Sequence, residues 1–293
     1  MTTHGFGLTA EGPFDFAASL RFVEDWPATS ALPSDGRTLR FAYCAEADWL
    51  PIGVSVTGAP GGVAVATTRA AGPAIRGEVA RILSLDVDGA GFAKLGEADP
   101  VLGDLQRRRP GLRPVCFWNP WEAACWAVIV QRSSMLIASR IKQRIAERYG
   151  AAVTVDGQAC TAFPPPVTLV DADGLGLPAQ KEEWVRGLAR AALDGVLTTD
   201  HLRSLAPEEA LAELRALPGV GPFSAGLILI RGAGAPDAFP GDEPRLFAIL
   251  REAYGLPEDA PPSAYRRLAE AWRPYRSWAS FAFRASTYGV MDD

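Results

Sequence analysis

The chain has 293 residues and 31.2 kDa, 48% of them hydrophobic and 22% charged, which excludes disorder as the default and allows two domains or one large one. A formal charge of −5 and a pI near 5.3 count against a partner that needs a basic surface, unless the cations gather on one face. No stretch reaches the roughly 18 uninterrupted apolar residues of a membrane span, and "MTTHGFGLTAEG" lacks the basic and apolar regions of a leader, so a cytoplasmic protein with no membrane partner is expected.

In chain order, "LRFAY" (39–43), "PIGVSV" (51–56) and "GGVAVATT" (61–68) alternate apolar and small or polar residues around the turn "TGAPGG", and predict an antiparallel hairpin or meander. Pro73 opens a helix with Ile75, Val79, Ile82 and Leu83 at helical spacing. After about residue 108 the strand signal stops, and the Pro/Arg-rich "RRRPGLRP" is read as a boundary between domains 1–108 and 109–293. Asn119-Pro120-Trp121-Glu122 is a helix start with Asn119 as N-cap and Pro120 at the first helical position. The next helix carries Ile137, Ile141, Ile145 and Tyr149 and stops at Gly150, and "DGQACTAFPPPVTLVDADGLGLP" reads as loop. "KEEWVRGLARAAL", "PEEALAELRAL" and "SAGLILI" are helical, as is "PRLFAILREAYG" with Pro244 leading. The fold class expected is α+β, a sheet-containing N-terminal part followed by a mostly helical one.

Four cysteines (Cys44, Cys116, Cys125 and Cys160) have no C-x-x-C spacing and read as buried thiols, and His4 and His201 are too few for a histidine triad or a multi-histidine metal site. Carboxylates are the more plausible chemistry, and no cofactor is expected. Basic residues do cluster. "RRRPGLR" (107–113) holds four arginines, and 131–148 holds Arg132, Arg140, Lys142, Arg144 and Arg148 against Glu147, a pattern that fits a solvated helix face and a phosphate-binding stripe equally.

"LPGVGPFSAG" (217–226) turns through Pro218-Gly219-Val220-Gly221 into a helix with Ser224 in its first turn. Glycines so close to a helix start can aim several N–H groups at an anion, although a tight helical joint filled by Val220 fits the same residues. Asp242 lies just ahead of the Pro244 helix, where free N–H groups favour a carboxylate.

The ordered set "LRALPGVGPFSAGLILI", "GAPDAFPGDEPRLFAIL" and "AEAWRPYRSWASFAF" resembles the helix-hairpin-helix superfamily of DNA glycosylases, specifically its 3-methyladenine DNA glycosylase II branch. "GLRPVCFWNPWEAACWAVIVQRSS", "RILSLDVDGAGFAKLGEADPVLGDL" and "LGLPAQKEEWVRGLARAALDG" extend the likeness over about residues 70–285. The resemblance implies a helical glycosylase domain behind an N-terminal α/β domain, and a monomer acting on double-stranded DNA that contains a damaged base. Its implied activity is excision of alkylated purines in base excision repair, by flipping the base into a pocket beside Asp242 as catalytic carboxylate. Phe223 stands where bifunctional relatives carry a lysine, which implies water as nucleophile and no strand cleavage.

The same resemblance assigns DNA contacts to Leu217, Gly219, Val220, Gly221 and Ser224, and the wedge that fills the flipped base's place to Gln131 and Arg132. It assigns the base pocket to Phe223, Leu227, Trp278 and Arg284, with a core position the alternative for Phe223 and the favoured one for Trp278, and allows a structural monovalent cation on the main-chain carbonyls of Arg215, Leu217 and Val220. Asp237 falls too early in the pattern, and Glu243 is expected to point elsewhere. Leu227 and Arg284 replace aromatics of the branch, and Arg284 suits a carbonyl-bearing base. A glycosylase for an oxidised or deaminated base, or a DNA damage-sensing module without turnover, are the alternatives.

Overall fold

The computed structural model describes residues 4–29 and 31–286. Strands β1 (His4–Thr9), β2 (Thr38–Cys44), β3 (Pro51–Ala59) and β4 (Gly62–Thr67) form an antiparallel sheet in the order β1-β4-β3-β2. The consecutive strands β2, β3 and β4 are the expected meander. β1 goes beyond the sequence reading, because its glycines at 5 and 7 weaken the strand pattern. So does α1 (Phe16–Glu24), which Asp15 caps by accepting from the N–H groups of Ala17 and Ala18. Phe16, Leu20 and Val23 of α1 join Ile75, Val79 and Ile82 of α2 (Pro73–Ile82) in a core on the sheet, with Leu39, Phe41 and Tyr43.

The loop expected over 156–178 is corrected at its start. β5 (Ala151–Val155) and β6 (Gln158–Ala162) form a hairpin whose turn, Asp156-Gly157, has both φ angles positive, at 47° and 79°. An Asp-Gly pair is the favoured chemistry for that turn, but the flanks are alanine-rich and carry little apolar alternation. The hairpin covers the second face of the sheet: Val155, Cys160 and Ala162 pack on Ala42 and Cys44, so β2 is buried on both sides. Gly53 makes this approach possible, since a Cβ there would lie 2.5 Å from Val155 Cγ2.

Helices α3 (Gly89–Ala98) and α4 (Pro100–Arg108) close the first part of the chain, yet their Phe92 and Leu102 pack with three late helices. These are α12 (Pro244–Tyr254), α13 (Pro262–Ala269) and α14 (Arg276–Ala285), through Leu246, Leu250, Tyr265 and Phe283. The core therefore runs across residue 108 without a gap. Arg113, counted in the basic run, is buried and donates to the carbonyls of Pro13, Ser84 and Val87.

The largest core gathers the middle helices around α5 (Pro120–Ile129), a segment buried along its whole length. Around it lie α6 (Met135–Tyr149), α7 (Pro166–Leu169), α8 (Ala179–Leu193), α9 (Thr199–Ser204), α10 (Pro207–Arg215) and α11 (Pro222–Leu227). Asn119 caps α5 as expected, accepting from Glu122 N–H at 2.8 Å. Lys142 is removed from the basic face of α6: it is 2% exposed, lies 2.5 Å from the Glu122 carboxylate and donates to the carbonyl of Ala28 at 2.6 Å. The four cysteines are buried, and burial pushes the thiols of Cys44 and Cys160 up to about 12 and about 11. Among the described residues no helix is long and apolar enough to cross a membrane.

Candidate active site

The hairpin is built by α10, a tight turn and α11. Leu217 closes the end of α10 by donating to Leu214, and Val220 N–H donates back to the Leu217 carbonyl at 3.2 Å. Gly219 takes φ +75°, and a Cβ there would meet the ring of Trp184 on α8 at 2.6 Å. Both conditions demand glycine. Gly221 is different: it is extended, precedes Pro222 at the helix start and has open space where a Cβ would be. Among the described residues neither glycine's N–H finds an acceptor. Val220 and Ser224 are buried, so the turn is a packed joint that also leaves two amides without an acceptor among the described residues.

Two substitutions separate these roles. Gly219→Ala is expected to cost about 2 kcal/mol or more, from the left-handed backbone and the Trp184 contact. Gly221→Ala should leave the urea midpoint nearly unchanged. If Gly221→Ala nevertheless weakens binding to an abasic-site duplex several-fold, the backbone is approached closely by a phosphate. Unchanged binding would remove that contact.

Gln131, in the turn after α5, ties that turn to the hairpin by donating from Nε2 to the Gly219 carbonyl at 2.7 Å. Lys181 of α8 braces the same turn from below, donating to the carbonyls of Ile129 and Gln131 at 3.0 and 2.6 Å. Burial and the nearby Arg132 hold its ammonium below the usual lysine range. Arg132 sits exposed at φ +55°, and beyond it Met135, Leu136 and Ile137 are exposed at the start of α6. The turn after α5 and the hairpin thus form one hydrogen-bonded edge.

Beside this edge opens a cavity of about 550 Å³, in the size range of small-ligand sites. Phe223, Leu227, Asp242 and Arg284 line it, as does Met135 at the start of α6. Phe223 is 52% exposed, so a flat ring stands at the mouth available for stacking.

The pocket assignment of Trp278 is corrected. Trp278 is 2% exposed and packs edge-on against Phe92 at 5.3 Å, with the Arg113 guanidinium 5.4 Å from its ring. The reason is helical phase: Ser277, Ser280, Phe281 and Arg284 repeat on the face of α14 that lines the cavity, and Trp278 lies a turn of about 100° away from Ser277.

Glu243 is corrected in the opposite sense. It stands at the N-cap of α12, lines the cavity, and accepts from Arg284 Nε at 2.5 Å, with the two side chains 18% and 15% exposed. Asp242, one residue earlier, is exposed and makes no hydrogen bond or ion pair among the described residues. Neither carboxylate caps α12. Asp237 is used elsewhere, accepting from Arg273 and Arg276.

Other lining groups come from distant segments. Phe22 and Trp26 reach the cavity from α1 and the loop after it, and Arg231 stacks over Trp26 at 4.0 Å while donating from Nε to the Val115 carbonyl at 2.9 Å. Arg231 belongs to a widened helical turn, Ile228–Gly232, that prolongs α11. No local signal marks Phe22 or Trp26, since their neighbours in sequence line nothing.

No family model matches the chain. It is 34% identical over 185 residues to the DNA-3-methyladenine glycosylase 2 of Escherichia coli, covering 61% of this chain and 62% of that one. It is 27% identical over 202 residues to the DNA-3-methyladenine glycosylase of Bacillus subtilis, covering 67% of each. The match thus spans about two thirds or less of these relatives. The 3-methyladenine DNA-glycosylase of Archaeoglobus fulgidus superposes with a TM-score of 0.79 at 20% identity, over 96% of this chain and 97% of that one. The α+β fold is shared over nearly the whole length. In sequence the chain is similar to these DNA-3-methyladenine glycosylases, and it shares the fold of the Archaeoglobus fulgidus enzyme.

Proposed function

We propose that the protein is a monofunctional DNA N-glycosylase that flips an alkylated purine out of duplex DNA and hydrolyses its N-glycosidic bond, leaving an abasic site. One observation carries the reading: the cavity of about 550 Å³ opens beside a hairpin whose Gly219 and Gly221 amides have no acceptor among the described residues, and has carboxylates among its lining. Similarity to two DNA-3-methyladenine glycosylases supports the substrate class.

Each part has a chemical task. The amides of Gly219 and Gly221 hold a backbone phosphate, and Gln131 and Arg132 fill the gap left by the flipped base. An alkylated purine is electron-poor, and the Phe223 ring offers it a π-face. As the bond to the base lengthens, positive charge grows on the sugar, as in glycoside hydrolysis. Asp242 stabilises that charge and orients the water, whose oxygen bonds to the anomeric carbon and whose proton passes to the Asp242 carboxylate, while the bonding pair leaves with the base.

With Phe223 in the hairpin there is no amine nucleophile at that position, and Lys181 is committed to two carbonyls of the wedge turn. If a monovalent cation braces the hairpin, the carbonyls of Arg215, Leu217 and Val220 are its ligands. Leu217's oxygen accepts one bond and keeps a second lone pair for it. The acting unit is a monomer on intracellular duplex DNA.

The test is base release from methylated duplex DNA, with freed bases and strand nicks read in the same low-salt reaction. Free methylpurines without nicks are expected. Nicks in step with release would replace the monofunctional reading by a lyase. Tight binding to damaged duplex without release of any base would leave the damage-sensing module.

A further inference from the structure

Helix α6 begins at the cavity mouth, where Met135 is part of the lining, and runs away from it. Its buried face is Ala138, Lys142, Ile145 and Ala146. The opposite face carries Leu136, Arg140 and Arg144, at successive four-residue steps, and all three are exposed. Arg132 continues this line backwards into the wedge turn.

The structure divides the sequence's basic run into groups with different fates. Lys142 is spent on Glu122 and Ala28, and Arg148 turns away to the Gly174 carbonyl and the Tyr149 ring. Arg132, Arg140 and Arg144 make no hydrogen bond or ion pair among the described residues. The acid on this side of α6, Glu147, comes at the far end and accepts from Gln143 at 2.8 Å.

We infer that the Leu136-Arg140-Arg144 face of α6 is a duplex-DNA backbone surface, extending the contact from the wedge turn along the sugar–phosphate chain flanking the lesion. The inference rests on the glycosylase reading for the presence of DNA. Two features of the molecule favour phosphate as the occupant. In a chain of net charge −5 this face holds unpaired guanidinium groups, and it is continuous with the wedge turn. Arg140 and Arg144 lie about 6 Å apart along the helix axis, which spans roughly two nucleotide steps of a strand at about 3.4 Å each. Guanidinium forks suit such oxygens.

The effect is read as a salt dependence. Each phosphate neutralised contributes about 0.9 to the slope of log K against log salt for duplex DNA. Binding of the full-length protein to a duplex carrying a tetrahydrofuran abasic analogue, titrated from 50 to 300 mM salt, should therefore lose about 1.8 of slope in Arg140→Gln/Arg144→Gln. Arg107→Gln/Arg108→Gln removes the same charge from α4, where both arginines are paired with Asp104, and should keep the wild-type slope. An unchanged slope in the α6 variant, or an equal loss in the α4 variant, overturns the inference while leaving the glycosylase reading intact. Failure of the wild type to bind the duplex at all removes both.

Discussion

Asp242→Asn is expected to lose base release by about 10²- to 10⁴-fold while binding an abasic-site duplex within a few-fold of wild type. The substitution keeps the shape and removes the charge that the proposed mechanism uses to stabilise the developing oxocarbenium. The exposure of Asp242 in the free protein fits a carboxylate waiting for its sugar, and a bound duplex would cover it. Glu243 makes the experiment discriminating. It lines the same cavity and is held by Arg284, so Glu243→Gln should disturb the pocket through that guanidinium and change which base is released more than how fast. Single-turnover release from methylated duplex, with 3-methyladenine and 7-methylguanine quantified separately, reads both effects. Loss of all release in Glu243→Gln with little change in Asp242→Asn would transfer the catalytic role to Glu243, the less exposed carboxylate at the N-cap of α12.

The second large effect is on stability. Lys142→Met should lower unfolding free energy by about 3–5 kcal/mol, because it leaves the Glu122 carboxylate buried without its cation. The pair is 2% exposed on both sides, and the ammonium also satisfies the Ala28 carbonyl. Adding Glu122→Leu in the same chain should return much of the loss, since an apolar pair of similar volume escapes the desolvation cost of two ions. Urea midpoints of the two variants and wild type measure this directly. A loss below about 1 kcal/mol in Lys142→Met would mean that water reaches the pair. The result bears on function because Glu122 and Lys142 lock α5 to α6, and α6 carries Met135 at the cavity mouth.

The sequence by itself determined several of the helices and their starts. Asn119-Pro120, Pro73, Pro207 and Pro244 write helix openings in local chemistry, because a proline's fixed φ and an asparagine's acceptor act within one turn. The hairpin was legible for the same reason: Gly219's left-handed backbone is a local demand. It also carried the resemblance to the helix-hairpin-helix glycosylases, through several short segments in one order. The β5–β6 hairpin was legible only in its Asp156-Gly157 turn, since its strands carry alanines and threonines that have no strong pattern of their own.

Tertiary structure decided what depended on which way a side chain faces and what stands opposite. Whether Lys142 belonged to a basic stripe or a buried pair rested on Glu122, a residue on another helix. Whether Trp278 or Arg284 faced the cavity rested on the phase of α14 against α12, and whether Glu243 faced it rested on Arg284. Phe22 and Trp26 entered the cavity only because α1 packs beside α14, through a Phe22–Phe281 ring contact at 5.0 Å. Propensity and spacing act over a few residues, whereas burial, charge pairing and the shape of a cavity are set by contacts between segments far apart in the chain.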